Sequence, residues 1–155
     1  MTQVYIQANT DGTLHDAADA SVSPLNRSFL YGDAVYEVWR TYDGVVYAWG
    51  EHWQRLVRSA DAVGMNIPWS AESIFAQVYT TVQAYRVKVE EAGELYIRLQ
   101  ISRGEGEIGL DSNLADHCRF VVLVRRLPPF EEVKLERGTR LSIADKIRRN
   151  SRRCL

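Results

Sequence analysis

Three arginines and several tyrosines stand at spacings that suit anion recognition. Tyr96 and Arg98 lie in a segment, Leu95 to Ser102, that alternates apolar and polar side chains. Successive side chains on a strand point to opposite faces, so this pair projects to one side. A guanidinium fork beside a phenol is a grip for a carboxylate, although a solvent-facing strand is the plainer account of the pair taken alone. Upstream, Leu30-Tyr31-Gly32-Asp33 leads into Ala34–Tyr42, where Tyr36, Val38 and Arg40 share one face and Val35, Glu37 and Trp39 the other. Large residues on both faces predict a strand covered on both sides. Arg40 would then need a partner, because an unpaired buried charge is costly; a ligand and an acidic neighbour serve equally. Arg55 sits between Trp53 and Leu56 near the start of a predicted helix. A partly shielded arginine there suits phosphate, since guanidinium and free backbone N–H groups both favour anions. Without other information the spacing favours an ordinary exposed arginine.

Other chemistries find less support. Arg103-Gly-Glu-Gly106 lacks the Lys-Ser/Thr that follows in a phosphate-binding P-loop. No Ser-His-Asp or Cys-His arrangement is assignable from spacing. Cys118 and Cys154 form no C-x-x-C, and His15, His52 and His117 do not supply the missing ligands, so no metal site is expected. The thiols fit a reducing compartment.

The elements that must position these residues follow from periodicity. Val4, Tyr5 and Ile6 begin a short strand, and Asn9-Thr10-Asp11-Gly12 reads as a turn. After Ala34–Tyr42, Asp43-Gly44 and Val45-Val46-Tyr47 complete a hairpin, because Asp-Gly tolerates the positive φ of a tight turn. Glu51–Met65 carries one apolar stripe at helical spacing (Trp53, Leu56, Val57, Ala60, Val63), with Gly64 near its end. Ser70 caps a second helix whose buried face is Ile74, Phe75, Val78, Val82, Tyr85 and Val89, with Gly93 ending it. Leu95, Ile97, Leu99 and Ile101 form the apolar side of the next strand; Phe120–Val124 and Arg140–Ile143 predict two more. Strands, two helices, then strands make an α+β layer rather than a βαβ repeat.

Composition narrows the class. The 155 residues carry a net charge of −1, with 46% hydrophobic and 25% charged residues, as in a soluble globular domain. That balance argues against a basic nucleic-acid binder, and no apolar run reaches the length of a membrane span. Neither nucleic acid nor membrane is expected as a partner. Met1-Thr-Gln-Val-Tyr lacks the basic head and apolar stretch of a signal peptide, so a cytoplasmic protein is expected. The basic run from Lys146 to Arg153 reads as a linker or domain-junction surface.

Four segments, in order, carry a family resemblance. Pro24-Leu-Asn-Arg-Ser-Phe-Leu-Tyr-Gly-Asp-Ala-Val-Tyr-Glu-Val-Trp-Arg40 resembles the early signature of the class IV, fold-type IV pyridoxal-phosphate aminotransferases. Glu51-His-Trp-Gln-Arg-Leu-Val-Arg-Ser-Ala60 resembles that family's E-H-x-x-R-L-x-x-S-A helix. Tyr96-Ile-Arg-Leu-Gln-Ile-Ser-Arg-Gly-Glu-Gly-Glu-Ile-Gly-Leu110 resembles its Y-x-R strand and glycine loop, and Ile147-Arg-Arg-Asn the segment before its catalytic lysine. The family includes branched-chain and D-amino-acid aminotransferases and aminodeoxychorismate lyase.

The resemblance implies an antiparallel sheet with two helices, the small N-terminal domain of such an enzyme, over residues 1–145. Residues 146–155 would be the interdomain linker, with the larger cofactor domain absent from this chain. The implied cofactor is pyridoxal 5'-phosphate, its phosphate held by Arg55. Tyr31, Tyr36, Val38 and Arg40 match positions lining the substrate pocket; Tyr96 and Arg98 match a pair typical of branched-chain-type members. Gly104–Leu110 matches a loop that reaches the neighbouring subunit in homodimers. The lysine that forms a Schiff base with the cofactor is expected beyond Leu155. Lys88, Lys134 and Lys146 lack its motif, so no catalytic residue is assigned within these residues. The implied reaction moves an amino group between an amino acid, branched-chain or another L-amino acid, and a 2-oxo acid. A D-amino-acid aminotransferase, aminodeoxychorismate lyase and a non-catalytic isolated domain stand as alternatives.

Overall fold

A computed structural model describes residues 4–115, 117–128 and 136–143. It contains β1 (Gln7–Thr10), β2 (Thr13–Asp16), α1 (Arg27–Tyr31), β3 (Ala34–Tyr42), β4 (Val45–Val46), α2 (Trp49–Ala62), α3 (Ala71–Lys88), β5 (Leu95–Ser102) and β6 (Arg119–Arg126). All strand pairings are antiparallel, in the order β2-β1-β6-β5-β3-β4. Helix α2 packs on β3, and α3 on β1 and β6, so both long helices cover the same face of the sheet.

Local chemistry accounts for most element boundaries. Asp43 and Gly44 have φ of 48° and 78°, the positive pair that a tight hairpin turn needs between β3 and β4. The Ser70 side chain accepts a hydrogen bond from the Ser73 amide, capping α3 as expected. The four apolar residues of β5, Leu95, Ile97, Leu99 and Ile101, are completely buried, and α2 and α3 close over them with Leu56, Ala60, Ile74 and Val78. Burial of this alternating set is the main stabilisation of the domain.

The structure departs from the sequence reading in specific places. The first strand begins at Gln7 rather than at Val4, because its inward residues are polar. Asn9 is fully buried and donates to Gln77 Oε1 (3.0 Å) and Thr81 Oγ1 (3.1 Å), while accepting from the Gly12 amide (2.9 Å). A buried polar residue satisfied by a distant helix leaves no apolar alternation to read. Apolar periodicity predicts two helices, and a third, α1, is present. It is only five residues long and starts from an Asn26 cap that accepts from the Ser28 amide. On α3, Thr81 takes a buried place and Phe75 is partly exposed; on α2, Val63 falls past the helix end and is half exposed. Arg140–Ile143 is not a strand: Leu141 and Ile143 are 85% and 92% exposed, and no described strand pairs with them. The predicted linker from Lys146 onward, with Lys134 and Cys154, lies outside the described residues.

Strand β3 is not covered on both sides. Val35, Glu37, Trp39 and Thr41 face the helices, whereas Tyr36 is 57% exposed and Arg40 and Tyr42 face away from them. Arg40 therefore needs no buried counter-charge. Its guanidinium lies over the Tyr42 ring at 3.9 Å.

Truncation on the two faces should differ accordingly. Ile97→Ala should lower the unfolding free energy by about 2–5 kcal/mol, and Tyr36→Ala by less than about 1 kcal/mol, both read from urea denaturation.

Candidate active site

The face of the sheet opposite the helices gathers five of the residues singled out from the sequence. In the β3–β5–β6 register, Arg40 lies opposite Tyr96, and Tyr96 opposite Arg125. In the next row Val38 lies opposite Arg98, and Arg98 opposite Leu123; beyond it Tyr36 faces Gln100. The Arg98 guanidinium lies over the Tyr36 ring at 3.8 Å and donates through Nη2 to Gln100 Oε1 (3.1 Å). Arg125 lies over Tyr96 at 4.8 Å. Among the described residues, Arg40, Arg98 and Arg125 form no ion pair. A guanidinium over an aromatic ring is supported without being neutralised and still has N–H groups to offer a carboxylate. The structure thus brings Tyr36, Val38, Arg40, Tyr96 and Arg98 together.

Tyr31 and Arg55 are engaged elsewhere. Tyr31 closes α1, and its hydroxyl accepts a hydrogen bond from the Gly109 amide (3.0 Å). Arg55 reaches β3 from the helix side. Its Nε and Nη2 donate to the two carboxylate oxygens of Glu37, with Nη2 at 2.6 Å from Oε2. Nδ1 of His52, one helical turn earlier, lies 2.9 Å from the same Oε2. The Glu37 side chain is buried while that of Arg55 is 59% exposed. Burial pushes the Glu37 carboxyl up, but the Arg55 and His52 bonds outweigh it and hold it below the usual range. Glu37 in turn raises Arg55.

Sequence reading missed a second, partly buried carboxylate. Asp33 Oδ2 accepts from Arg27 Nε (2.9 Å) and Arg103 Nε (2.8 Å), and both arginines are buried. Arg27 also donates to the Gly109 carbonyl (2.9 Å), and Arg103 to the Val63 and Gly64 carbonyls at the end of α2 (2.8 and 2.9 Å). This clamp ties the start of β3, the end of α2 and the 103–110 loop together. The loop is also held by close approach: a Cβ at Gly104 would lie 1.9 Å from the His117 carbonyl oxygen. Asp33 and Arg27 lie in a turn and a five-residue helix, where no periodicity marks a buried charge. Burial pushes the Asp33 carboxyl up, but the two arginine bonds outweigh it and hold it below the usual range.

The comparisons with known proteins bear on this geometry. Residues 34–155 match the family model described as amino-transferase class IV. The chain belongs to the class IV aminotransferase family. A putative branched-chain-amino-acid aminotransferase of Methanocaldococcus jannaschii is 35% identical over 119 residues, covering 77% of this chain and 40% of that protein. A D-alanine aminotransferase of Staphylococcus epidermidis is 33% identical over 104 residues, covering 67% of this chain and 34% of that protein. Among solved structures, a branched-chain aminotransferase from Thermoproteus uzoniensis with norvaline superposes with a TM-score of 0.64 at 31% identity, covering 80% of this chain and 41% of that one. A fold IV-transaminase from Curtobacterium pusillum reaches a TM-score of 0.71 at 24% identity, a likeness of fold, over 84% of this chain and 46% of that one. The fold is that of the N-terminal domain of fold-type IV aminotransferases, and the class IV chain spans less than half the length of the relatives it matches.

The Asp33 clamp should show in the pH dependence of stability. Its folded-state pKa is depressed below the ordinary 3.8, so its contribution is present above that pH and lost as pH falls through the folded value. Asp33→Asn should cost about 3 kcal/mol at neutral pH. The difference from wild type should close toward strongly acidic pH in a series of urea titrations.

Proposed function

We propose that these residues form the substrate- and phosphate-recognising small domain, residues 1–145, of a pyridoxal 5'-phosphate-dependent aminotransferase, with residues 146–155 leading to a larger domain. The single observation that carries this is the open sheet face, where the Arg98 guanidinium lies over the Tyr36 ring at 3.8 Å, in the strand that also carries Tyr96 on this face. The amino group would pass between an amino acid and a 2-oxo acid, both of which carry the carboxylate this face suits. Arg98, with Tyr96 or Arg40, binds that carboxylate; Tyr31, Tyr36 and Val38 shape the side-chain pocket.

The donor chemistry fits the cofactor's phosphate. Arg55 is exposed along one edge and backed by a buried carboxylate, and among the described residues its Nη1 makes no hydrogen bond. When bound, the cofactor supplies an electron sink for the pair left on the substrate carbon after proton removal. Arg55 holds the phosphate, and the arginines of the open face orient the carboxylate so that the substrate meets it in one pose. Lys88 packs over the Tyr5 ring at 5.1 Å near the end of α3. Lys134 and Lys146 lie outside the described residues. In this reading the lysine that bonds the cofactor belongs to the larger domain, and the small domain by itself turns nothing over.

A branched-chain or other L-amino acid is the favoured donor, supported by the likeness to branched-chain aminotransferases at 35% and 31% identity. A D-amino acid is the second reading, favoured by the 33% identity to a D-alanine aminotransferase. A homodimer suits the exposed Ile108 and Leu110 on the clamped loop, which offer apolar surface to a neighbouring subunit. The cytoplasm suits the free thiol of Cys118.

The test is an amino-donor screen of the full-length protein with a 2-oxo acid acceptor. Turnover of branched-chain L-amino acids is expected; turnover restricted to D-amino acids would select the second reading, and none with either would remove both. Arg98→Gln should raise KM for the amino acid by about tenfold or more, since it loses a charge-assisted bond to the carboxylate.

A further inference from the structure

Among the described residues Glu37 is the one buried acid, packed against the middle of α2, and carboxylate recognition on the far face of the sheet leaves it without a task. It sits on β3, turned toward the helices and 4% exposed, with Trp39 following on the same side. Trp39 stacks on Trp49, at 4.8 Å between ring centroids, and lies against the His52 ring at 5.6 Å. The carboxylate is therefore seated on rigid backbone beside packed rings. Both its oxygens receive Arg55, and His52 Nδ1 lies beside one of them.

An arginine side chain has many rotamers, and an exposed one spends much of its freedom away from any given anion. Glu37 removes that freedom from one edge of the guanidinium. It takes a hydrogen from Nε and one from Nη2, which also lies 3.2 Å from His52 Nδ1, and the Nη1 hydrogens point away from it in the plane of the group. The negative charge of Glu37 opposes an incoming anion, whereas the fixed fork favours it. A bidentate phosphate contact depends on fork geometry, and an anion that meets a pre-oriented donor loses less entropy on binding.

We propose that Glu37 is a positioning residue for Arg55: it locks the guanidinium so that the free edge is presented to the phosphate of a phosphate-bearing cofactor. This rests on the assignment of Arg55 to the phosphate made above. Glu37 touches neither cofactor nor substrate; it acts through Arg55.

The full-length protein would be titrated with pyridoxamine 5'-phosphate and with pyridoxamine, following tryptophan fluorescence, since Trp39, Trp49 and Trp53 lie around the site. The ratio of the two affinities isolates the phosphate contact and requires no turnover. Glu37→Gln should lower that ratio about tenfold, the effect of losing one charge-assisted interaction, while leaving pyridoxamine affinity unchanged. Glu37→Asp should recover part of the loss. Arg55→Gln should lower the ratio at least as far, and adding Glu37→Gln to it should change nothing further. If Arg55→Gln lowers the ratio but Glu37→Gln leaves it unchanged or raises it, Glu37 is a bystander or a competitor and the proposal fails alone. If Arg55→Gln leaves the ratio unchanged, the phosphate assignment fails and takes the proposal with it. Equal weakening of both ligands by Glu37→Gln, unrelieved by Glu37→Asp, would mark a purely structural role and overturn the proposal.

Discussion

Helices α2 and α3 cover one face of this sheet, and strand geometry sends successive side chains to opposite faces. Those two constraints sort every residue of β3 and β5. Leu95, Ile97, Leu99 and Ile101 go under α2 and α3, which forces Tyr96, Arg98 and Gln100 onto the other side. On β3 the same rule buries Val35, Glu37 and Trp39 and turns Tyr36, Val38 and Arg40 outward. The antiparallel register then aligns the outward sets into rows. A one-residue slip of β5 would bury Arg98 and expose Ile97, so the hydrophobic core and the cationic face hold each other in place.

Around this sheet, one buried and one partly buried carboxylate govern four arginine and histidine partners. Asp33 accepts from Arg27 and Arg103 and thereby connects three chain segments that are remote in sequence. Glu37 accepts from Arg55 and lies against His52 on the adjoining helix. A shielded charge is tolerated where hydrogen bonds compensate it: both oxygens of Glu37 accept from Arg55, and Asp33 Oδ2 accepts from two arginines. The arginines of the open face are treated differently. Arg40, Arg98 and Arg125 rest on tyrosine rings, an arrangement that supports a guanidinium without neutralising it. Among the described residues, the arginines that hold the fold are ion-paired, whereas Arg98 and Arg125 on the outward face form no ion pair and Arg40 acts on Glu94 only beyond ion-pair distance.

Strand β5 was fully legible because its alternation is strict and its length typical. The hairpin was legible from Asp43-Gly44, and α3 from its Ser70 cap. The first strand was misplaced because Gln7 and Asn9 are buried through hydrogen bonds to the Gln77–Thr81 part of α3 and other partners, which no local pattern announces. Leu141 and Ile143 look strand-like in sequence but have no described strand to pair with. Tyr96 with Arg98, and Tyr36 with Arg40, were assigned correctly to shared faces. The expected cover on both sides of β3 does not form, since whether a face is packed depends on where the helices go.

By itself the sequence determined the family, the alternation of β5, the hairpin and the two long helices, because each is written in contiguous residues or in the spacing of a few. Tertiary structure decided which face stayed open, that Arg98 lies over Tyr36, that Asp33 joins Arg27 to Arg103, and that Glu37 stands behind Arg55. The physical reason is range. Propensity and periodicity act over a turn or a strand, whereas a buried charge must find its partners wherever the packed chain brings them, and those partners are named only when the layers meet.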